Sequence, residues 1–347
     1  MQTKLLRPSE DSTAIEQAGA LLRAGEVVGI PTETVYGLAA DALNPQAVAR
    51  IFEAKGRPQD NPLIVHIADL ESIKDIATEF PPEAQALAKA YWPGPMTIIL
   101  PKQDKIPIVT SGGLNTVGIR FPAHPLAQQI IRAAGTPLAA PSANLSGRPS
   151  TTTAQHVMED LNGKIAAVVD GGPCSVGVES TVISLCGERP RLLRPGGISL
   201  EQLRAVLGEV DVDRALTEKI DDTEKVSAPG MKYRHYAPKA PVTVVMGTPK
   251  ASADYIYAQL GENSGVLCFD DCAHLFRDKV VVETFGRSED EEEQARQVFD
   301  ALRRFDETDC TEIFAQCPPA EGIGLAVSNR IKKAAGFHII TVTEEAE

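Results

Sequence analysis

The chain has 347 residues, of which 43% are hydrophobic and 23% charged, a composition typical of a globular protein with room for two domains. Its formal net charge of -13 argues against a general nucleic-acid coat protein, which would be basic, although a local basic pocket remains compatible with it. No apolar run follows a basic start and no stretch of about 18 apolar residues occurs, so we expect neither a signal peptide nor a membrane span.

The first predicted elements lead into a polar loop. Residues 13–24 have the apolar spacing of an amphipathic helix, and Thr13 with Glu16 has the spacing of a capping box. A short strand at 27–30 then runs into the loop 31–38. Ligands gather beyond the carboxyl ends of strands in open α/β sheets. Threonine and glutamate side chains in such a loop could equally cap the next element, and the pattern alone leaves both interpretations open.

Two cations and an amide lie between the next helix and strand. The helix ends at Lys55, where a glycine and a proline stop it, and a buried strand is predicted at 63–67. Arg57 and Asn61 lie between them. The positive charges could complement the helix dipole. They could also form a polyanion site, because arginine offers a bidentate fork and lysine a mobile point charge for a triphosphate.

A charged residue interrupts one of the following apolar strands. A helix is predicted at 82–91, and strands at 96–100 and 116–121, the second of which contains Arg120. A charge inside a buried strand is costly unless it is paired. A carboxylate must therefore meet Arg120, and the pattern does not decide whether the protein or a ligand supplies it.

The stretch at 141–150 is rich in Ser, Asn, Gly and Pro, which predicts a turn. Its small polar side chains and exposed amides would also suit phosphate or carboxylate oxygens, in the manner of a nest. No GxxxxGKS or GxGxxG motif occurs, so neither common nucleotide-binding loop is available. Flanking elements are predicted as short strands at 137–140 and 166–169, a β-rich unit at 177–184 and a helix at 200–207.

The last third of the chain alternates strands and helices after a linker. Residues 209–241 are acidic and lack apolar periodicity, although their Lys-Tyr-Arg-His-Tyr cluster suggests packing on something anionic rather than a plain solvated linker. Beyond it, we predict strands at 242–246, 265–269, 280–283 and 312–315, with helices at 251–260, 290–305 and 325–335. This alternation predicts a small parallel α/β domain.

The six cysteines, at 174, 186, 268, 272, 310 and 317, are sparse and irregularly spaced. No CxxC pair indicates a zinc ribbon. We therefore expect reduced, mostly buried thiols and a cytoplasmic protein, with no metal held by cysteine.

Many short motifs, in this order along nearly the whole chain, resemble those of the YrdC-type L-threonylcarbamoyladenylate synthases in their long two-domain form. The motifs are PTETVYGL at 31–38, KGRP at 55–58, NPL at 61–63, WPGP at 92–95, GIR at 118–120, PSANLSG at 141–147, ESTV at 179–182, LRPG at 193–196, PGMKYRHYAP at 229–238, GLA at 324–326 and NR at 329–330.

The resemblance implies an α/β fold with two domains. A twisted mixed-sheet YrdC-like catalytic domain would cover residues 1–208, and a small Rossmann-like parallel α/β C-terminal domain would cover 242–347. The linker at 209–241 would fold over the active site as a lid.

The resemblance also implies a reaction: L-threonine, bicarbonate and ATP, with Mg2+ on the triphosphate, give L-threonylcarbamoyl-AMP and pyrophosphate. A downstream threonylcarbamoyl transferase would then act on tRNA, and direct tRNA binding by this chain stays open. Two alternatives are a double-stranded RNA-binding module and a carbamoyl-transfer enzyme of the hydrogenase-maturation type. The net charge weighs against the first, and the missing CxxC pairs weigh against the second.

The site residues of the family can be assigned to the matching positions of this sequence. The resemblance implies catalytic roles for Lys55, Arg57, Ser142 and Asn144. It implies an ATP side lined by Arg57, Asn61, Thr116, Ser142, Ser150, Arg194 and Tyr236. It implies a threonine pocket formed by Thr34, His66, Arg120, Ala140 and Ser180, in which Arg120 forks the substrate carboxylate.

Overall fold

The structure of the protein, a computed structural model, describes residues 2–216, 235–276 and 280–343. The described chain forms two compact units, the first made of residues 2–146 and 150–216 and the second of residues 147–149 and 235–343. Much of the predicted lid, at 217–234, lies outside the described residues, so the domain boundaries at 208 and 241 stay predictions.

An 11-stranded mixed sheet forms the centre of the first unit. Its strands are β1 (Lys4–Leu6), β2 (Val28–Ile30), β3 (Gly37–Asp41), β4 (Ile64–His66), β5 (Met96–Pro101), β6 (Thr116–Arg120), β7 (Leu138–Ala139), β8 (Ala167–Val169), β9 (Thr181–Ser184), β10 (Arg191–Arg194) and β11 (Asp211–Val212). They are arranged in the order β1-β8-β2-β3-β7-β4-β6-β5-β9-β10-β11. Because β4 runs parallel to β6 while β5 runs antiparallel to it, the mixed-sheet prediction is confirmed.

Helices cover this sheet. They are α1 (Ala14–Arg23), α2 (Pro45–Lys55), α3 (Pro82–Tyr91), α4 (Ile108–Ser111), α5 (Pro125–Ala134), α6 (Ala154–Leu161) and α7 (Leu200–Leu207). The sequence patterns used above did not predict α5 and α6. Helix α5 nevertheless carries ordinary boundary signals, a proline in its first turn and the left-handed Gly135 after its end.

The predicted capping box of α1 is wrong. The Thr13 side chain caps no backbone amide of the helix, and its hydroxyl donates instead to Asp11 Oδ1 at 2.7 Å. A capping box does occur in α7, between Ser199 and Gln202. Spacing alone cannot distinguish the two cases, because a nearby aspartate competes for the threonine hydroxyl.

The sheet buries apolar side chains on both faces. Along β8, Ala167 and Val169 belong to one apolar cluster and Val168 to another, as expected when successive side chains of a strand point to opposite faces. Helices α1 and α5 pack together beside the first cluster. A Cβ at Gly19 of α1 would come within 2.7 Å of Ala133, so the two helices approach closely there.

The second unit contains a five-stranded parallel sheet. Its strands are β12 (Val242–Met246), β13 (Ser264–Cys268), β14 (Val281–Thr284), β15 (Glu312–Gln316) and β16 (Ile339–Thr341), in the order β14-β13-β15-β12-β16. Its helices are α8 (Pro249–Gln259), α9 (Glu291–Arg304) and α10 (Gly324–Ala334). Every pairing in this sheet is parallel, which confirms the predicted α/β class. Within the described residues, no helix has both the length and the apolar character needed to cross a membrane.

Candidate active site

Three buried polar side chains lie side by side across the large sheet. His66 ends β4, Arg120 ends β6, and Thr97 lies near the start of β5. Arg120 pairs in register with both neighbours. Residues in register on adjacent strands project from the same face of a sheet. All three residues are buried, so the strands form a polar row where an apolar core would be expected.

Ser180 and Arg194 continue this row beyond β5. The hydroxyls of Thr97 and Ser180 are 2.8 Å apart. Arg194 donates from Nε to the Ser180 carbonyl and from Nη2 to the Ser180 hydroxyl, both at 3.0 Å. A Cβ at Gly196 would come within 2.3 Å of the Thr181 amide, so only glycine allows the turn after β10 to pass this close. A predicted ATP residue and a predicted threonine residue therefore contact each other directly.

A protein carboxylate meets Arg120. Glu33 Oε1 lies 2.7 Å from Arg120 Nη2, and Nη1 donates to the Thr34 hydroxyl at 2.9 Å. Glu33 thus does not cap the next element, which was one interpretation of the loop at 31–38. Sequence reasoning did not place Glu33 or Thr97 in the site. The charge of Arg120 inside an apolar strand indicated that some carboxylate must lie opposite it. The sequence does not reveal that this carboxylate belongs to Glu33.

Burial and charge fix the protonation of this cluster. Burial is the strongest single effect on the Glu33 carboxyl and raises its pKa, but the Arg120 charge and the hydrogen bonds from Arg120 and the backbone together hold that pKa below its ordinary value. Burial, with a smaller effect of the Arg120 charge, lowers the pKa of His66 from 6.5 to about 3. At neutral pH the site therefore combines a carboxylate, a guanidinium and a neutral imidazole.

Lys55 ties the loop at 142–146 to the end of α2. Its ammonium donates to the carbonyls of Ser142 and Asn144, and its own carbonyl accepts the Ser146 amide. The left-handed Gly56 ends the helix directly after it. The structure thus places the Lys55 charge on loop carbonyls, where it acts less as the mobile point charge that the sequence suggested and more as a fixed clamp.

The loop at 142–146 does not form an open nest. The amides of Ala143, Leu145 and Ser146 donate to the Tyr36 carbonyl, to Asp160 Oδ2 and to the Lys55 carbonyl. The Ser142 hydroxyl donates to Asn144 Oδ1 at 2.5 Å. The expectation of exposed amides is therefore wrong for these three, because the loop uses them to hold its own shape.

The loop at 31–36 joins the two groups of residues. Tyr36 accepts the Ala143 amide through its carbonyl, whereas Thr34 contacts Arg120. An isolated bridge also pairs Gly37 with Ser142. The Lys55–Ser142–Asn144 group and the Thr34–Arg120 group thus flank one short segment of the chain.

The other predicted residues of the first unit lie on several strands and loops, and Thr116 lies at the opposite end of β6 from Arg120. Ala140 extends β7, with its amide donating to the Ile64 carbonyl. The Ser150 hydroxyl donates to Glu179 Oε1 at 2.5 Å. Asn61 is 1% exposed, and its Oδ1 accepts no hydrogen bond within the described residues. Half-buried positions are occupied by Arg57, just after α2, and Thr116, at the start of β6.

Tyr236 belongs to the second unit. Its ring centroid lies 5.1 Å from that of Phe299 and 5.4 Å from the Arg330 guanidinium carbon. Its φ angle of 66° lies in the left-handed region, which is uncommon for a bulky residue. Its predicted role on the ATP side stays a prediction.

Comparison with known proteins gives a consistent result. A family profile described as "Telomere recombination" matches residues 20–196, and one described as "Threonylcarbamoyl-AMP synthase, C-terminal domain" matches residues 198–336. The chain is 50% identical to the threonylcarbamoyl-AMP synthase of Bacillus subtilis (strain 168) over 335 residues, and these residues cover 96% of each chain. It is 48% identical over 331 residues to the protein of the same name from Pyrococcus abyssi, covering 94% of this chain and 96% of that one.

A solved structure resembles the whole fold. The crystal structure of P. abyssi Sua5 complexed with L-threonine matches with a TM-score of 0.92 and 46% identity, covering 99% of this chain and all of the other.

Proposed function

The chain belongs to the Sua5/YrdC family in its two-domain form, and from this premise we propose that it catalyses threonylcarbamoyl-AMP synthesis. The reaction converts L-threonine, bicarbonate and ATP to L-threonylcarbamoyl-AMP and pyrophosphate. The observation that supports it best is the buried Arg120 at the carboxyl end of β6, whose charge lies beside Thr34 and neutral His66. A buried guanidinium beside hydroxyl groups suits an amino-acid carboxylate.

The proposed chemistry is a nucleotidyl transfer. The threonine amine and carbon dioxide from bicarbonate form a carbamate, and one carbamate oxygen attacks the α-phosphorus of ATP. The new oxygen–phosphorus bond replaces the bond to the bridging oxygen, and pyrophosphate leaves. A carbamate is already nucleophilic, so the site has mainly to align the reactants and to stabilise the charge that develops on phosphate oxygens.

On the amino-acid side, we assign the substrate carboxylate to Arg120. Thr34, His66 and Ser180 would complete this pocket, with the backbone at Ala140. This assignment is supported by the burial of all four side chains around the end of β6. Because His66 is neutral at the pH of the reaction, it would contribute hydrogen bonding rather than charge.

On the ATP side, we assign the phosphates to the loop at 142–146 and the cations around it. Lys55 would hold this loop in shape and lend it positive charge, with Ser142 and Asn144 facing the nucleotide. The remaining contacts would come from Arg57, Asn61, Thr116, Ser150, Arg194 and Tyr236. The internal hydrogen bonds of the loop support this role, since a preorganised site needs no rearrangement when the nucleotide binds.

We propose that Mg2+ enters with the nucleotide. Among the described residues, no group of three or more His, Cys, Asp or Glu side chains is placed to hold a metal. The side chains present therefore fit an ion carried by phosphate oxygens better than an ion held by protein ligands alone. The ion would neutralise charge on the triphosphate. The labile adenylate would pass to a downstream threonylcarbamoyl transferase that acts on tRNA.

Pyrophosphate release from ATP tests this function, with threonine and bicarbonate each added or withheld. We expect release only when both are present, and much slower release when serine replaces threonine. Release that does not need threonine, or no release under any condition, would contradict the proposal.

A further inference from the structure

The Arg120–Glu33 ion pair is buried but poorly hydrogen-bonded. The two side chains are 5% and 8% exposed, and Nη2 lies 2.7 Å from Oε1. Removing two charges from water is costly unless aligned hydrogen bonds satisfy the remaining polar atoms. Within the described residues, Arg120 Nε and Nη2 make no aligned hydrogen bond, whereas the Glu33 carboxylate also faces the backbone amides of Glu33 and Ala123. The pair therefore leaves hydrogen-bonding capacity unused on Arg120.

The unused donors of Arg120 lie on one edge of the guanidinium. Nε and Nη2 point their N–H bonds in parallel, which is the arrangement that binds the two oxygens of a carboxylate. Nη1 is already engaged, because it donates to the Thr34 hydroxyl. A ligand carboxylate would thus bind at the Nε/Nη2 edge, where it would have to displace the Glu33 oxygen from Nη2.

A displaced Glu33 needs a new cationic partner. Its side chain is only 8% exposed, so water cannot fully solvate its charge. His66 cannot supply a positive charge at neutral pH, since its pKa is about 3. The Thr34 hydroxyl is also occupied, by Arg120 and by the Thr32 hydroxyl at 2.9 Å.

An α-amino acid carries the required cation next to its carboxylate. Resting on the function proposed above, we propose that Glu33 recognises the α-ammonium of the incoming amino acid while the substrate carboxylate takes the Nε/Nη2 edge of Arg120. Arg120 and Glu33 then each exchange their protein partner for the opposite charge of the zwitterion. Glu33 is thereby a specificity-determining residue, because a carboxylic acid without an ammonium would leave it buried without a cation.

Ligand binding to the full-length protein tests this role without catalysis. Calorimetric titrations at pH 7.5 compare L-threonine with 3-hydroxybutyrate, which is threonine without its amino group. The variant Glu33→Gln keeps the shape of the side chain and removes its charge. Asp160→Asn is the matched control, since Asp160 is also a buried carboxylate and accepts the Leu145 amide.

We expect the wild-type protein and Asp160→Asn to prefer threonine strongly over 3-hydroxybutyrate. Glu33→Gln should bind threonine more weakly and 3-hydroxybutyrate more tightly, so that the preference falls by about ten- to a hundredfold, the usual range for one charged hydrogen-bonding partner. An unchanged preference in Glu33→Gln, or equal losses for both ligands, would overturn the inference. A wild-type protein that binds no threonine would instead contradict the proposed function.

If Glu33→Gln does not fold, the same titrations are made with Glu33→Asp. It keeps the negative charge but draws it back by one methylene group. Threonine should then bind more weakly while 3-hydroxybutyrate stays excluded. An aspartate variant that gains affinity for 3-hydroxybutyrate would show that the charge of Glu33 does not exclude it.

Discussion

At the scale of single residues, the polar row formed by His66, Arg120 and Thr97 makes the sheet itself part of the site. Strands normally bury apolar side chains at these positions, and each polar exception must be satisfied by a partner. The partners here are Glu33, Thr34 and Ser180. The sequence predicted that Arg120 needs a carboxylate. It could not name Glu33, because the loop that carries it is distant along the chain and its direction depends on the fold.

The first prediction concerns the carboxylate fork of Arg120. Arg120→Lys keeps a cation beside Glu33 but loses the two parallel N–H donors. We expect the half-saturating threonine concentration to rise by about tenfold or more, as for the loss of one charged hydrogen bond, with that of ATP changed much less. Initial rates of pyrophosphate release measure both. Equal effects on the two substrates would mean that Arg120 does not face threonine.

The second prediction concerns the stability of the folded state in acid. His66 has a pKa of about 3 when folded and an ordinary value of 6.5, so the unfolded chain binds up to one more proton between these values. Unfolding free energy should therefore fall as pH drops below 6.5, by up to about 1.4 kcal/mol per pH unit from this residue.

Denaturant melts of wild type and His66→Gln between pH 5 and pH 7.5 measure this slope. The variant should lose the His66 contribution and show a shallower decline. His338→Gln, which alters an exposed histidine of the second unit, should retain the wild-type slope. Parallel curves for wild type and His66→Gln would show that the buried imidazole is not kept neutral by the fold.

At the scale of elements, local signals and tertiary contacts contribute differently to the site. The end of α2 at Lys55 and the limits of α3 and α7 follow from glycine, proline and apolar spacing, and the structure confirms them. These signals do not predict which groups the Lys55 side chain contacts. Its contacts with Ser142 and Asn144 depend on a sheet that brings two distant loops together. Spacing identifies the elements, whereas the long-range pairing decides their contacts.

The third prediction concerns the clamp that Lys55 forms. Lys55→Met keeps much of the side-chain length but removes the donor that holds two loop carbonyls. Leaving these groups unsatisfied should cost roughly 1–3 kcal/mol and loosen the loop at 142–146. We expect the half-saturating ATP concentration to rise far more than that of threonine, the reverse of the Arg120→Lys pattern.

Steady-state kinetics at varied ATP and threonine measure this difference. Lys89→Met, an exposed change on α3, is the matched control and should behave as wild type. If Lys55→Met affected threonine more than ATP, the loop at 142–146 would have to be reassigned to the amino-acid side.

At the scale of the whole molecule, the sequence predicted the mixed sheet, the parallel C-terminal sheet and the family. The recurring motifs carried most of this prediction, since most of those in the first unit mark a strand end or a loop of the site. The strands β1, β3 and β16 were not predicted, and β3 consists of Gly, Leu, Ala and Asp, of which all but leucine are depleted in strands. The negative net charge excluded a basic coat protein but could not locate the buried cations Lys55, Arg120 and Arg194.

The fourth prediction concerns the predicted lid. A chain that ends after Leu216 keeps both apolar clusters of the large sheet, including Leu216 itself, so it should unfold cooperatively. We expect its synthase activity to fall to a small fraction of the full-length value, because a lid would exclude water from a labile mixed anhydride. Full activity in this fragment would mean that the segment at 209–241 only connects the two domains.

The central claim is that the product contains threonine, one carbon from bicarbonate and AMP. The most direct measurement incubates the protein with ATP, L-threonine and carbon-13 bicarbonate and identifies the adenylate by mass spectrometry. We expect threonylcarbamoyl-AMP whose extra carbon carries the label, formed in step with pyrophosphate. Threonyl-AMP without the additional carbon would contradict it, since the protein would then activate the amino acid directly.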